Sequence, residues 1–259
     1  MHRTVLLFSI IVLYYTLALW SLFVFDAGML VSALVLFAVP ALALARFTVA
    51  PPMVLLSVTV LGAGVAFLLE GIAHMYGLWY SIGIMETRVF NLVPLEMLIV
   101  IVFQVVFLAL LYEVFFDDGI YSPRSAWQRF GFFAVFSVAV VVLIGIQRYV
   151  ADSIFLPYSY LWMIGILVGS ALAILILHKS LSVPFFDRII DFSLIAAVPS
   201  GIYLFLASAN VYKVFGYTQE YIATISFYGQ SVPLEEIILL FALPFFIGTV
   251  YEVYLDDKL

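Results

Sequence analysis

The chain has 259 residues, of which 66% are hydrophobic and 10% charged, with a formal net charge of −6 and no cysteine. Soluble domains carry roughly 45–50% apolar and about 25% charged residues, so this composition excludes an ordinary soluble enzyme and describes an integral membrane protein. Without cysteine there are no disulfides, thiolate metal sites or thiol nucleophiles. Ten basic residues against sixteen acidic ones, with no basic stripe, leave no footprint for nucleic acid.

A hydrocarbon core requires roughly 20 apolar residues per helix. The first apolar run, 4–25, follows His2 and Arg3. It exceeds the ~7–15 residues of a signal-peptide core and has no small-x-small cleavage site, so it reads as a span. Further runs cover 28–46, 53–74, 93–116, 130–150, 158–178, 189–212 and 232–255. The expected fold is therefore all-α, a polytopic transmembrane bundle of about eight spans. Pro40, Pro199 and Pro244 fall inside spans and are expected to kink them. The connections 75–92 and 213–231 are semi-polar and aromatic, with Trp79, Tyr80, Phe227 and Tyr228 among their residues. Such rings belong to an interfacial belt or turn inward to line a site with π-faces.

The string Val-Pro-Leu-Glu occurs at 93–96 and again at 232–235, an offset of 232 − 93 = 139. The same offset relates Tyr112-Glu113-Val114 to Tyr251-Glu252-Val253, Ile99 to Ile238, and Phe107 to Phe246. The expectation is a tandem duplication: a first repeat at 1–118, a loop at 119–129 and a second repeat at 130–259. Four spans per repeat is an even number, so both repeats insert in the same direction, unlike the inverted repeats of many transporters. With the N-terminus inside, Arg3, Arg46, Arg124, Arg129, Lys179, Arg188 and Lys258 fall on the cytoplasmic side and Arg88, Arg148 and Lys213 on the outer side. Seven against three places both termini of this multi-pass chain in the cytoplasm, and both VPLE motifs then start helices at the outer face.

Pro94 and Pro233 suit the first turn of a helix, where a missing N–H costs nothing. Glu96 and Glu235 follow beside the positive end of the helix dipole, where a carboxylate caps the helix. Capping does not account for Glu236, because neighbours i and i+1 point different ways. One of Glu235 and Glu236 has to face something else, and acids in apolar surroundings are expensive. Glu70 and His74 share one helix face at i, i+4, while the corresponding positions of the second half are Ala209 and Lys213. A local satisfied pair and a functional one are both open there. Glu113 and Glu252 lie 17 residues beyond Glu96 and Glu235, about 25 Å along a helix, so they read as structural acids at the inner edge. His2, His74 and His178 cannot group as metal ligands, and no GxGxxG follows a strand; neither a metal nor a cofactor is expected. Glu235-Glu236 is followed by Ile237-Ile238 and no arginine, which excludes a glutamate-type intramembrane protease.

The segment Gly216–Asp257, with Pro233-Leu234-Glu235-Glu236, Leu243-Pro244-Phe245 and Tyr251-Glu252, resembles the lycopene cyclase domain of membrane-embedded carotenoid cyclases. The first half resembles it through Gly77-Leu78-Trp79-Tyr80, Pro94-Leu95-Glu96 and Tyr112-Glu113, departing at Met97, where a second acid is common. The resemblance implies acid-catalysed, redox-neutral closure of the ψ-end of lycopene to a β-ring. The substrate would be a long polyene reaching the enzyme from the lipid phase. It implies Glu235, Glu236 and Glu96 as acid/base residues, Glu70 as a supporting group, and Trp79, Tyr80, Phe227 and Tyr228 as aromatic substrate contacts. Two other functions are weighed: a carotenoid end-group hydratase, which starts from the same protonation, and a proton-coupled transporter. Homo-oligomerisation is left open.

Overall fold

The computed structural model describes residues 2–48, 50–81, 87–117, 126–150, 158–177, 183–209, 213–215, 221–227 and 230–255. Among the described residues the helical segments are α1 His2–Val24, α2 Met29–Leu44, α3 Pro52–Tyr76, α4 Leu95–Phe115, α5 Ala126–Val150, α6 Ser159–Leu177, α7 Val183–Ala209 and α8 Leu234–Val250. Pro40 in α2 follows a π turn at Leu34–Ala38, and α8, which contains Pro244, runs on into a second π turn at Tyr251–Leu255.

Six of these segments are long and apolar enough to cross a membrane: Pro52–Tyr76, Leu95–Phe115, Phe130–Tyr149, Ser159–Leu177, Phe186–Ala209 and Leu234–Tyr254. The protein is a membrane-embedded helical bundle. The first two expected spans correspond to shorter apolar helices, Ser9–Val24 within α1 and Met29–Leu44. The 16 residues from 29 to 44 reach only about 24 Å, short of a ~30 Å hydrocarbon core. Other boundaries also differ from the hydrophobic runs. Helix α7 begins at Val183 rather than 189, and α5 begins at Ala126, inside the expected loop. Counting apolar residues ends a span at its first charges, whereas the helix continues past them.

The surface confirms the solvent. Phe132, Val135, Val138 and Leu143 of α5 and Trp162 and Ile176 of α6 are all exposed. Such contiguous apolar area is a liability in water and is matched by hydrocarbon chains. Hydrophobicity cannot drive helices together in that solvent, so close packing has to. Gly64 and Gly71 of α3 face Ser137 and Ile144 of α5, two contacts seven residues apart on both helices. A Cβ on Gly64 would stand 2.5 Å from Ser137 Oγ. The small residues let the backbones approach, and Ser137 donates its hydroxyl to Val60 O across the interface at 2.7 Å. Helices α4 and α8 form the centre: α4 packs on α2 and α3, α8 on α6 and α7, and the two touch each other.

One end of the bundle carries short strands that the all-α expectation did not include. β1 (Trp79–Ser81) pairs antiparallel with β4 (Lys213–Phe215). β2 (Arg88–Val89) pairs with β3 (Val93–Pro94), and β5 (Thr224–Phe227) with β6 (Gln230–Pro233). Strands of two to four residues are too short to show an alternating pattern. The two hairpins run directly into α4 and α8. Leu95 N donates to Thr87 O at 3.1 Å and Leu234 N donates to Ala223 O at 2.9 Å; the same device, 139 residues apart, ties each helix start to its hairpin.

Candidate active site

The site is built by a turn. Helix α3 ends at Gly77, whose φ of 63° is left-handed, a conformation that costs a residue with a Cβ about 1–2 kcal/mol. Leu78 N bonds back to Ala73 O at 2.9 Å, the capping pattern that a glycine permits. The reversal brings Trp79 against the last turns of α3. Its indole Nε1–H donates to the Glu70 carboxyl at 3.2 Å to Oε1 and 3.4 Å to Oε2. One turn along, His74 Nδ1 lies 3.2 Å from Glu70 Oε2 and 3.0 Å from the Glu70 carbonyl oxygen. Glu70 is 1% exposed.

The second half supplies Glu236 and the residues that hold it. Tyr160, at the start of α6, donates its hydroxyl to Glu236 Oε2, and its ring centroid lies 5.3 Å from that of Trp79. Tyr221 sits 6.1 Å from Tyr160, ring to ring, and donates to Leu78 O at 2.6 Å. It thereby ties the loop before α8 to the turn after α3. Glu70, Trp79 and Glu236 line one cavity of about 60 Å³. Its floor is formed by Met97, Val100, Ile101 and Gln104 of α4 and by Leu239, Leu240 and Leu243 of α8. Each α8 position, Glu236 included, is an α4 position plus 139, so the cavity lies where corresponding faces of the two helices meet. Gln104 donates to Ser200 Oγ of α7 at 2.9 Å.

The adjacent acids Glu235 and Glu236 part company here. Glu235 Oε1 accepts the Ile222 backbone N–H at 2.6 Å, and the residue is fully buried. It holds the hairpin loop, as a capping carboxylate does. Glu236 turns the other way, into the cavity. Glu96 is buried at the start of α4, but neither it nor Glu235 lines the cavity. Met97, at the position that matches Glu236, lines it with an apolar side chain. Of the four carboxylates expected to act, the structure brings Glu70 and Glu236 together and sets Glu96 and Glu235 apart from them.

Among the aromatic candidates, Trp79 is buried in the site. Tyr80 is 43% exposed, with Arg88 5.1 Å over its ring and Arg88 Nη2 donating to its hydroxyl at 2.9 Å; it belongs to the surface. The Phe227 side chain and Tyr228 lie outside the described residues. Sequence reasoning missed Tyr160 and Gln104. Gln104 had a signal, a polar side chain in mid-span; Tyr160, one of sixteen tyrosines, had none.

A wider apolar groove of about 300 Å³ runs between α3, α5 and α6, lined by Leu68, Ile72, Val140, Leu143, Trp162 and Ile166 among others. Gln147 Nε2 donates to Tyr76 OH across its polar end at 2.6 Å. At the far end of the bundle, Glu113 and Glu252 form a separate, crossed pair. Tyr112 OH donates to Glu252 Oε2 and Tyr251 OH to Glu113 Oε2, each at 2.6 Å. Arg188 reaches Glu252 at 3.3 Å, and Thr48 Oγ1 donates to Glu113 at 2.8 Å. Among the described residues, no three His, Asp or Glu side chains group as metal ligands. No protein-family model, curated protein or solved structure matches the chain.

Proposed function

We propose that the protein is a membrane-embedded acid–base catalyst of carotenoid biosynthesis that closes the ψ-end of lycopene to a β-ring, in a site shared by two copies of a four-span unit. The observation that carries this reading is the cavity in which Glu70 from the first half and Glu236 from the second are buried among aromatic and aliphatic side chains. One carboxyl gives a proton to a terminal alkene: its O–H bond breaks and a C–H bond forms. The resulting tertiary cation is attacked by a neighbouring double bond, which makes the ring C–C bond. The second carboxyl removes a ring proton, leaving a new C=C bond and no net change in oxidation state. The face of Trp79, which lines the cavity, is available to stabilise the cation. At about 60 Å³ the cavity is small for a carotenoid end group, so the end group enters as the aliphatic lining, Leu239, Leu240 and Leu243, moves aside. The lipid-facing groove beside α3 suits the rest of a long hydrocarbon.

The duplication is supported by paired features at one offset: two hairpins feeding two VPLE helices, corresponding cavity faces on α4 and α8, and the crossed Tyr112–Glu252 and Tyr251–Glu113 bonds. The excess of Lys and Arg in the loops supports cytoplasmic termini, with the strand end of the bundle on the outer side.

The test is expression in cells that accumulate lycopene, with pigments separated by chromatography and weighed by mass spectrometry, beside Glu236→Gln and Glu70→Gln. The expected product is yellow-shifted, equal in mass to lycopene and absent from both variants. A product heavier by one water would instead identify a hydratase, with a cavity water capturing the cation. Unaltered lycopene from folded protein refutes the reading.

A further inference from the structure

We propose that His74 is a proton relay that recharges Glu70, which makes Glu70 the acid and Glu236 the base; this assignment rests on the function proposed above. The His74 side chain is 5% exposed, and its Nδ1 faces two oxygens of the same residue: Glu70 Oε2 at 3.2 Å and the Glu70 carbonyl at 3.0 Å. A carbonyl oxygen can only accept, so Nδ1 carries the ring hydrogen. That leaves Nε2 as the lone-pair nitrogen of the neutral ring. Nε2 is buried and, among the described residues, has no hydrogen-bond partner. Buried polar atoms without partners are few in folded proteins, and each calls for an explanation. A bare Nε2 behind an engaged Nδ1 is a port for protons.

The chemistry closes. A proton arriving at Nε2 makes the ring an imidazolium. The Nδ1–H bond then breaks as an O–H bond forms on Glu70 Oε2, leaving a neutral ring and a protonated Glu70. Resetting the ring takes a proton from water onto Nδ1 and releases the Nε2 proton to water, so Nδ1 has to part from the Glu70 oxygens once per turnover. Glu70 gives its proton to the substrate and Glu236 takes one from the ring carbon, releasing it to solvent once the product has left. One proton enters and one leaves per turnover.

The placement fits the route. The Tyr80 ring lies 6.2 Å from the imidazole, and Tyr80 with its Arg88 partner reaches the surface at the strand end. His74 is therefore close both to the buried carboxyl and to a surface residue. The second half has Ala209 and Lys213 at the matching positions, so the Glu–His pair is built once, beside one of the two cavity carboxyls. His74 touches Glu70 but does not itself line the cavity, which makes it a positioning and relay residue.

The experiment uses the full chain in lipid nanodiscs with lycopene as substrate, comparing wild type, His74→Ala and His74→Gln. Turnover is expected to fall about 100-fold or more in both variants, in the range of a lost proton-transfer group, with KM within about twofold of wild type. Added imidazole is expected to restore His74→Ala. Unchanged turnover, or a loss in His74→Ala that imidazole does not reverse in protein of wild-type thermal stability, overturns the relay. A second readout needs no turnover. In 15N-histidine spectra His74 is expected to show a protonated Nδ1 whose resonance shifts in Glu70→Gln; a bare Nδ1, or no shift, overturns the pairing itself. If these spectra behave as expected and no cyclised product forms, the functional reading falls and the histidine–glutamate pair stands.

Discussion

Removing the two tyrosine hydroxyls of the crossed pair, Tyr112→Phe and Tyr251→Phe, should have unequal effects although the two bonds look alike. Both tyrosines are fully buried or nearly so, and each donates at 2.6 Å to a glutamate of the other half. A hydrogen bond to a charged group is worth about 1.5–3 kcal/mol in soluble proteins. Interhelical bonds measured in a bilayer average about 0.6 and reach about 1.7 kcal/mol. The difference lies in what each glutamate keeps. Without Tyr112, Glu252 still has the Arg188 guanidinium at 3.3 Å. Without Tyr251, Glu113 keeps no cationic partner among the described residues, only the neutral Thr48 hydroxyl and the hydrogen-bonded Asp117, another acid. A buried carboxylate stripped of a donor bears most of its desolvation cost. The expected losses are about 1 kcal/mol for Tyr112→Phe and about 2 kcal/mol for Tyr251→Phe. The assay is reversible unfolding in mixed micelles, followed by helical circular dichroism, with the double variant closing the cycle. The rings lie 5.6 Å apart, so the double variant should be non-additive by at least about 0.5 kcal/mol. Equal losses, a larger loss for Tyr112→Phe, or both below about 0.3 kcal/mol would refute the argument that residual partners set the cost.

Glu235→Ala and Glu236→Gln should separate structure from chemistry. Glu235→Ala removes the acceptor for Ile222 N–H and is expected to lower stability by about 1–2 kcal/mol while leaving product formation within a few-fold, measured by unfolding and by pigment analysis. Glu236→Gln should fold as wild type and lose at least about 100-fold in turnover. Gly64→Val should separate α3 from α5, because its Cβ would meet Ser137 Cα at 3.0 Å, a backbone atom that cannot swing away. A loss of about 1–3 kcal/mol is expected, read as a drop in thermal midpoint, with Gly131→Val as the control because open space surrounds Gly131.

Much of this was legible in the string of residues. Six long apolar runs reappear as six helices of membrane-crossing length, because run length and hydropathy are local properties that a bilayer reads directly. The starts of α4 and α8 were legible from Pro94 and Pro233. So was the need for one of Glu235 and Glu236 to turn away from its helix end, since neighbours on a helix point about 100° apart. Which of the two does so was settled by the tertiary structure. Glu235 turns to a loop amide thirteen residues back in the chain and Glu236 to Tyr160 on another helix, and neither partner carries any mark in the local sequence. The same holds for Glu70. Its spacing to His74 announced a pair, but Trp79 joins it only because Gly77 reverses the chain. The crossed tyrosine–glutamate bonds exist because α4 and α8 meet side by side at the centre of the bundle. Composition and periodicity set where the chain sits and which faces are apolar; the directions of buried polar side chains depend on donors and acceptors from distant segments, and only packing brings those together.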